Sequence, residues 1–175
     1  MKVSVYIATS VDGFIAGPQG EIDWLHDQAY TIAGEDFGYA EFMSGVDAIV
    51  MGYNTFVKVL EFPEWPFGKT PVYVLTASER KLPQGIPARI SLETPAEITA
   101  RLRLAGLRRI YVDGGKLISS FLSAQLVTDI TITRVPVLLG QGIPLFSGPG
   151  CQARLKHLST NAWANGFAQS RYEVC

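Results

Sequence analysis

The sequence predicts an α/β domain built on a central mixed, mostly parallel sheet, with helices on both faces and an antiparallel hairpin at its C-terminal end. Three observations predict it. Short β-branched runs at residues 3–9, 47–51, 71–75 and 109–113 are separated by stretches of helical character, the alternation that buries parallel strands under helices. The last two β-rich runs, 153–160 and 167–174, are joined by Asn161-Ala162-Trp163-Ala164-Asn165-Gly166, which reads as a wide-looped hairpin. No repeat, low-complexity tract or linker divides the chain, so residues 1–175 form one domain.

Taken in order, residues 3–9 alternate as a strand does and run straight into Ser10-Val11-Asp12-Gly13, where Asp12 suits a turn. No small-residue cleavage pattern follows, so this start is a strand and not a signal peptide. Residues 10–35 carry Gly13, Gly17, Pro18, Gly20 and Gly34, and a loop this long inside a compact domain is usually functional. Then come a helical stretch at 37–45, a buried strand at 47–51, a short helix at 53–60 and a second buried strand at 71–75. Residues 91–105 form a helix opened by Thr94-Pro95-Ala96-Glu97, in which Thr94 caps, Pro95 takes the first helical position and Glu97 completes a capping box. A strand at 109–113, a helix at 116–124 and a β-rich stretch at 127–139 complete the central part.

Composition narrows the functional classes. Hydrophobic residues make up 47% and charged residues 18% of 175 residues, with a net charge of −1. A chain of this length buries about 70% of its unfolded surface. The charge balance argues against disorder and supplies no basic field for nucleic acid or membrane surfaces. Two cysteines, Cys151 and Cys175, are too few for a disulfide framework and lack the spacing of a zinc site, which fits a reducing cytoplasm. The best apolar run is interrupted by Pro136, Gly140, Gln141, Gly142 and Pro144, so no segment approaches the roughly 20 residues of a spanning helix. His26 and His157 have no partners at metal or triad spacing, and neither a nucleophile elbow nor a Walker lysine is present.

Three strands end in residues suited to an anion, at the strand ends where open α/β sheets bind ligands. The first is Tyr111-Val112-Asp113-Gly114-Gly115-Lys116, in which the two missing β-carbons let a backbone approach a pyrophosphate at a helix N-terminus. Lys116 in the first helical turn opposes the dipole by about 0.3–1 kcal/mol unless an anion sits there; the alternative is a tight turn with an exposed lysine. The second is Met51-Gly52-Tyr53-Asn54-Thr55, where Asn54 and Thr55 either cap the helix or donate to phosphate oxygens. The third is Leu75-Thr76-Ala77-Ser78-Glu79-Arg80-Lys81, whose hydroxyls and cations suit an adenosine 2′-phosphate or simply solvent.

For proton transfer the informative residue is Asp36. A helical projection of residues 35–46 places it on the apolar arc beside Tyr39, Ala40, Met43 and Val46, where burial would raise its pKa toward that of a proton donor. Alternatively, it opens the helix and complements its dipole. Trp24, in Asp23-Trp24-Leu25, either walls a ring-shaped substrate or pins its loop to the core.

Taken together, Ser10-Val11-Asp12-Gly13-Phe14-Ile15-Ala16, Asp23-Trp24-Leu25, Met51-Gly52-Tyr53-Asn54-Thr55-Phe56, Tyr111-Val112-Asp113-Gly114-Gly115 and Thr133-Arg134-Val135-Pro136, continuing to Phe146, resemble the dihydrofolate reductase-like family. Within it, the chain is most similar to the branch of the reductase (C-terminal) domain of bifunctional riboflavin-biosynthesis deaminase-reductases. The resemblance implies a three-layer fold, a homodimer, and NADPH lying across the carboxyl ends of the strands. It implies that Gly114, Gly115 and Lys116 border the pyrophosphate and that Gly52, Tyr53, Asn54 and Thr55 hold the phosphate side. Thr76 and Ser78 would lie near the adenosine ribose, Ala8 and Ile15 would flank the nicotinamide, and the glycine-rich segment after Ile15 would close over it. Asp36 falls on the acidic position that protonates a pterin.

Many relatives have an arginine that grips the 2′-phosphate where this chain has Tyr53, so NADH remains an alternative cofactor unless Arg80 or Lys81 substitutes. The reaction implied is hydride transfer to a pterin- or pyrimidine-like heterocycle, as in a 5-amino-6-(5-phosphoribosylamino)uracil reductase, with Asp36 as proton donor or substrate anchor. The alternatives are a nucleotide-binding or ligand-sensing module that has lost catalysis, and a strict dihydrofolate reductase. The stretch 127–139 is the apolar surface on which a homodimer would pair.

Overall fold

The computed structural model describes all 175 residues. An eight-stranded sheet has the order β5-β4-β3-β6-β1-β7-β10-β9, where β1 is Lys2–Ser10, β3 Ala48–Gly52, β4 Val72–Leu75, β5 Ala88–Ser91, β6 Arg109–Asp113, β7 Asp129–Val135, β9 Leu155–Ala162 and β10 Ala168–Val174. The first six in that order are parallel, and the β9–β10 hairpin joins antiparallel to β7. The mixed, mostly parallel sheet with a C-terminal hairpin is as the sequence predicts. Two short strands, β2 (Phe14–Ala16) and β8 (Ile143–Pro144), pair in a separate ribbon.

Helices α3 (Pro95–Leu104) and α4 (Gly115–Ser123) bury Ile98, Leu102, Ile118, Phe121 and Leu122 on one face of the sheet against Val3, Val5, Val50 and Val112. Helices α1 (Tyr39–Ser44) and α2 (Tyr53–Val59) cover the other face, where Phe56 and Val59 pack with Ile49, Met51, Val72 and Val74. β3 is apolar on both sides because both of its faces are covered. The capping box forms as predicted, with Thr94 Oγ1 accepting from the Glu97 N–H and Glu97 from the Thr94 N–H.

Three elements differ from the sequence reading. β5 and the β2–β8 ribbon are strands of two to four residues, too short for a period of two to stand out. α1 begins at Tyr39 rather than Phe37, because Phe37 and Gly38 both adopt left-handed backbone, at φ 57° and 85°. Of the stretch 127–139 only Asp129–Val135 is strand, bonded to β1 on one side and β10 on the other; the sheet's free edges are β5 and β9.

Asp12 does more than make a turn. Its carboxylate accepts from the Leu139 and Gly140 N–H groups at 3.2 and 2.7 Å, tying the end of β1 to the loop after β7.

Candidate active site

Adjacent parallel strands β3 and β6 end side by side, with Met51 opposite Asp113. Each runs into a helix whose first N–H groups no side chain caps: α2 after Gly52 and α4 after Gly114. Two helix N-termini therefore face one sheet edge, and their dipoles favour an anion there. The capping alternative for Asn54 and Thr55 is not realised; both lie in the first turn of α2 behind Gly52. Lys116 is exposed in the first turn of α4 and makes no salt bridge.

The glycine pair serves the protein's own packing. A β-carbon on Gly114, whose φ is 96°, would collide with Thr55 Oγ1, and one on Gly115 would come within 2.8 Å of the Pro144 carbonyl and 3.0 Å of Ile15 Cδ1. The glycines thus bring α2, α4, β2 and β8 together at the strand ends. The Gly114 N–H is occupied as well, donating to Asp113 Oδ1 at 2.8 Å.

The loop after β4 folds back toward the same edge. Thr76 Oγ1 accepts from the Ser78 N–H at 3.4 Å, and two residues on the Arg80 guanidinium lies 4.9 Å from the centroid of the Tyr53 ring. A cation thus sits over the first residue of α2 although the residue there is a tyrosine. Ala8 on β1 and Ile15 on β2 are both half-buried.

Asp36 is exposed, which overturns the expectation that burial raises its pKa. The helical projection fails because the helix has not begun at Asp36. Instead Asp36 Oδ2 accepts from the Ala40 N–H at 2.8 Å and Oδ1 from the Gly38 N–H at 2.9 Å. These amides, Ala40 first, hold its carboxyl below the ordinary aspartate range. The structure realises the alternative of a carboxylate that opens α1.

The carboxyl that burial does raise is Asp113, at the end of β6. Desolvation pushes its pKa up to about 6, against the opposing effect of the Gly114 amide. Tyr111, two residues earlier on the same face of the strand, is buried, and its hydroxyl donates to the Tyr6 carbonyl at 2.9 Å. Tyr39, on α1, has its pKa raised to about 12 by burial and by the Asp113 charge. One face at the carboxyl ends of β1 and β6 thus gathers a carboxyl and three phenols, and the sequence reading missed it. The available signal was an aspartate ending a buried strand immediately before two glycines, with a tyrosine two residues earlier.

Trp24 sits half-buried in a 3-10 turn, Asp23–Leu25, with its indole N–H buried and unpartnered. Its loop lies over the α2 region, with Gly20 against Lys58 and His26 edge-on to Phe62.

The family model described as the RibD C-terminal domain matches residues 1–168. The chain belongs to the RibD C-terminal domain family. Among relatives of this RibD C-terminal domain protein, YwjB of Bacillus subtilis (strain 168) is 38% identical over 149 residues, covering 83% of this chain and 82% of YwjB. A crystal structure of a Shewanella sp. PV-4 protein provisionally assigned to riboflavin biosynthesis has a TM-score of 0.93 at 35% identity, covering 100% of this chain and 99% of that one. The fold extends to more distant structures. The Thermotoga maritima diaminohydroxyphosphoribosylaminopyrimidine deaminase/5-amino-6-(5-phosphoribosylamino)uracil reductase has a TM-score of 0.73 at 18% identity, with 99% of this chain on 56% of that one. The dihydrofolate reductase-like fold implied by the sequence motifs is the fold of these neighbours. No helix of this RibD C-terminal domain chain is long and apolar enough to cross a membrane.

Proposed function

We propose that the protein is an NADPH-dependent reductase of a small pyrimidine- or pterin-like heterocycle. The observation that carries this reading is the pair of uncapped helix N-termini on neighbouring strands, with an unpaired Lys116 beside one and Arg80 stacked on the first residue of the other. That arrangement offers backbone donors and two cations to a dinucleotide. Gly115 and Lys116 on α4 and Tyr53, Asn54 and Thr55 on α2 would hold the phosphates. Thr76, Ser78 and Arg80 would hold the ribose end, and Ala8 and Ile15 would border the ring. When bound, NADPH supplies the hydride.

The chain's own carboxyls divide the remaining work, because their surroundings push their pKa values apart. Asp113, held near 6, is suited to deliver a proton close to neutral pH. Asp36, held ionised by two amides, is suited to accept hydrogen bonds from an amino-substituted ring. The proton-donor role read for Asp36 thus passes to Asp113, and Asp36 keeps that of substrate anchor.

The test of the cofactor is thermal. NADPH at saturating concentration raises the melting temperature more than NADH does, because only the former engages Arg80; equal or absent shifts would remove the reading. Asp36→Asn raises KM for the reducible ring about tenfold or more while leaving the NADPH dissociation constant within twofold, since one acceptor oxygen becomes a donor. A loss of cofactor affinity instead would make Asp36 purely a cap. A protein that binds NADPH tightly yet oxidises none of it across pterins, pyrimidines and quinones would be the non-catalytic module.

A further inference from the structure

The turn that presents Asp36 is unusual. Phe37 is a bulky residue in left-handed backbone, followed by Gly38 in the same region, and two such residues in succession need support from elsewhere. The support comes from the far end of the chain. Gln169, on β10, is buried, and the two N–H groups of its Nε2 are shared among three acceptors, the Phe37 carbonyl at 3.0 Å, the Tyr6 hydroxyl at 2.9 Å and Thr133 Oγ1 at 3.0 Å. The Tyr6 hydroxyl donates to the same Phe37 carbonyl. The orientation of the amide is fixed by chemistry: the Phe37 carbonyl only accepts, so the nitrogen of Gln169 must face it.

The rest of the hairpin grips the same segment. The Phe37 ring packs on Phe167 and Trp163 with centroids 4.7 and 5.2 Å away, and Asn165 Nδ2 donates to the Tyr30 carbonyl at 2.6 Å. From this clamp the chain emerges with the Gly38 and Ala40 amides turned onto the Asp36 carboxylate.

We infer that Gln169 is a positioning residue for Asp36, acting through the Phe37 carbonyl and the Tyr6 hydroxyl. Its functional consequence rests on the anchor role given to Asp36 above, but the linkage itself is structural and is read separately. Without the Gln169 amide the Phe37 carbonyl keeps only the Tyr6 hydroxyl as a donor, the left-handed turn relaxes, and the Gly38 and Ala40 amides leave the carboxylate. Asp47 is an internal reference, because the Arg109 and Arg108 amides lower its pKa in the same way at a place the clamp does not touch.

The experiment is a carboxyl-detected NMR titration of the full chain and of two variants, Gln169→Leu and Tyr6→Phe, with amide exchange measured alongside. The expected result in Gln169→Leu is a rise of the Asp36 midpoint toward the ordinary aspartate value, an unchanged Asp47 midpoint, and exchange at Ala40 faster by about tenfold. Tyr6→Phe, which keeps the ring against Phe42 and Tyr39, gives a smaller rise in the same direction. An unmoved Asp36 midpoint in a folded Gln169→Leu overturns the inference. If that variant does not fold, an unmoved midpoint in Tyr6→Phe overturns it. Should Asp36→Asn leave KM unaltered, the anchor role fails while the titration still decides the linkage.

Discussion

Replacing Asp113 by asparagine is expected to lower turnover by roughly 10²–10⁴-fold, the usual contribution of a positioned proton donor. The substitution keeps the shape and an oxygen for the Gly114 amide, so the NADPH dissociation constant should stay within about threefold. The pH dependence separates this from a packing effect. In the wild-type protein the rate should fall about tenfold per pH unit above the folded pKa of about 6, as the donor loses its proton, and the variant's residual rate should be flat there.

Stability supplies an independent sign. The folded protein holds this proton more tightly than the unfolded chain, whose aspartate titrates near 3.8, so this carboxyl's own contribution to stability is full below about pH 4 and is lost as pH rises through about 6. The slope is worth at most about 3 kcal/mol, and Asp113→Asn should remove it, leaving the variant the more stable protein at pH 8. A variant that keeps full turnover, or one destabilised at pH 8, would remove Asp113 from the mechanism.

The second large effect concerns cofactor choice. Arg80→Ala is expected to weaken NADPH binding by about 10- to 100-fold, the size of one or two charge-assisted hydrogen bonds, and to leave NADH binding unchanged. Fluorescence titration with both coenzymes measures it. Because Arg80 lies on the Tyr53 face, Tyr53→Leu should produce a weaker loss in the same direction by releasing the guanidinium. Raising the salt concentration should narrow the gap between the coenzymes in the wild type and do nothing in Arg80→Ala. Equal affinities for NADPH and NADH in the wild type would mean that the stacked arginine faces solvent only.

Both effects arise from residues of very different legibility. Arg80 stood in the sequence as half of a basic pair after a strand, and nothing in that pattern distinguished it from a solvated face. Its stacking on Tyr53 depends on how the loop after β4 folds back across α2, which is a contact between residues 27 positions apart. Asp113 was visible as the end of a strand, yet its raised pKa comes from desolvation in the assembled layers, where its charge is also felt by Tyr39 on α1. Asp36 shows the reverse. Its residue type and neighbours suggested a helical apolar arc, and two left-handed residues after it turned it outward.

Local chemistry thus determined what local chemistry can. Buried β-branched runs fixed β3, β4 and β6, the capping box fixed the start of α3, and the alternating tail fixed the hairpin, because each depends on residues within a few positions of one another. The motifs at residues 10–16, 51–56 and 111–115 sufficed to reach the family, since their order along the chain follows the order of the strand ends. What only the tertiary structure decided is which groups are dry and which are clamped. Gln169 reaches Phe37 across 132 residues, and Thr55 fills the space beside Gly114. Burial and close approach are properties of the assembled layers, and a one-dimensional pattern carries no term for the neighbour that excludes the water.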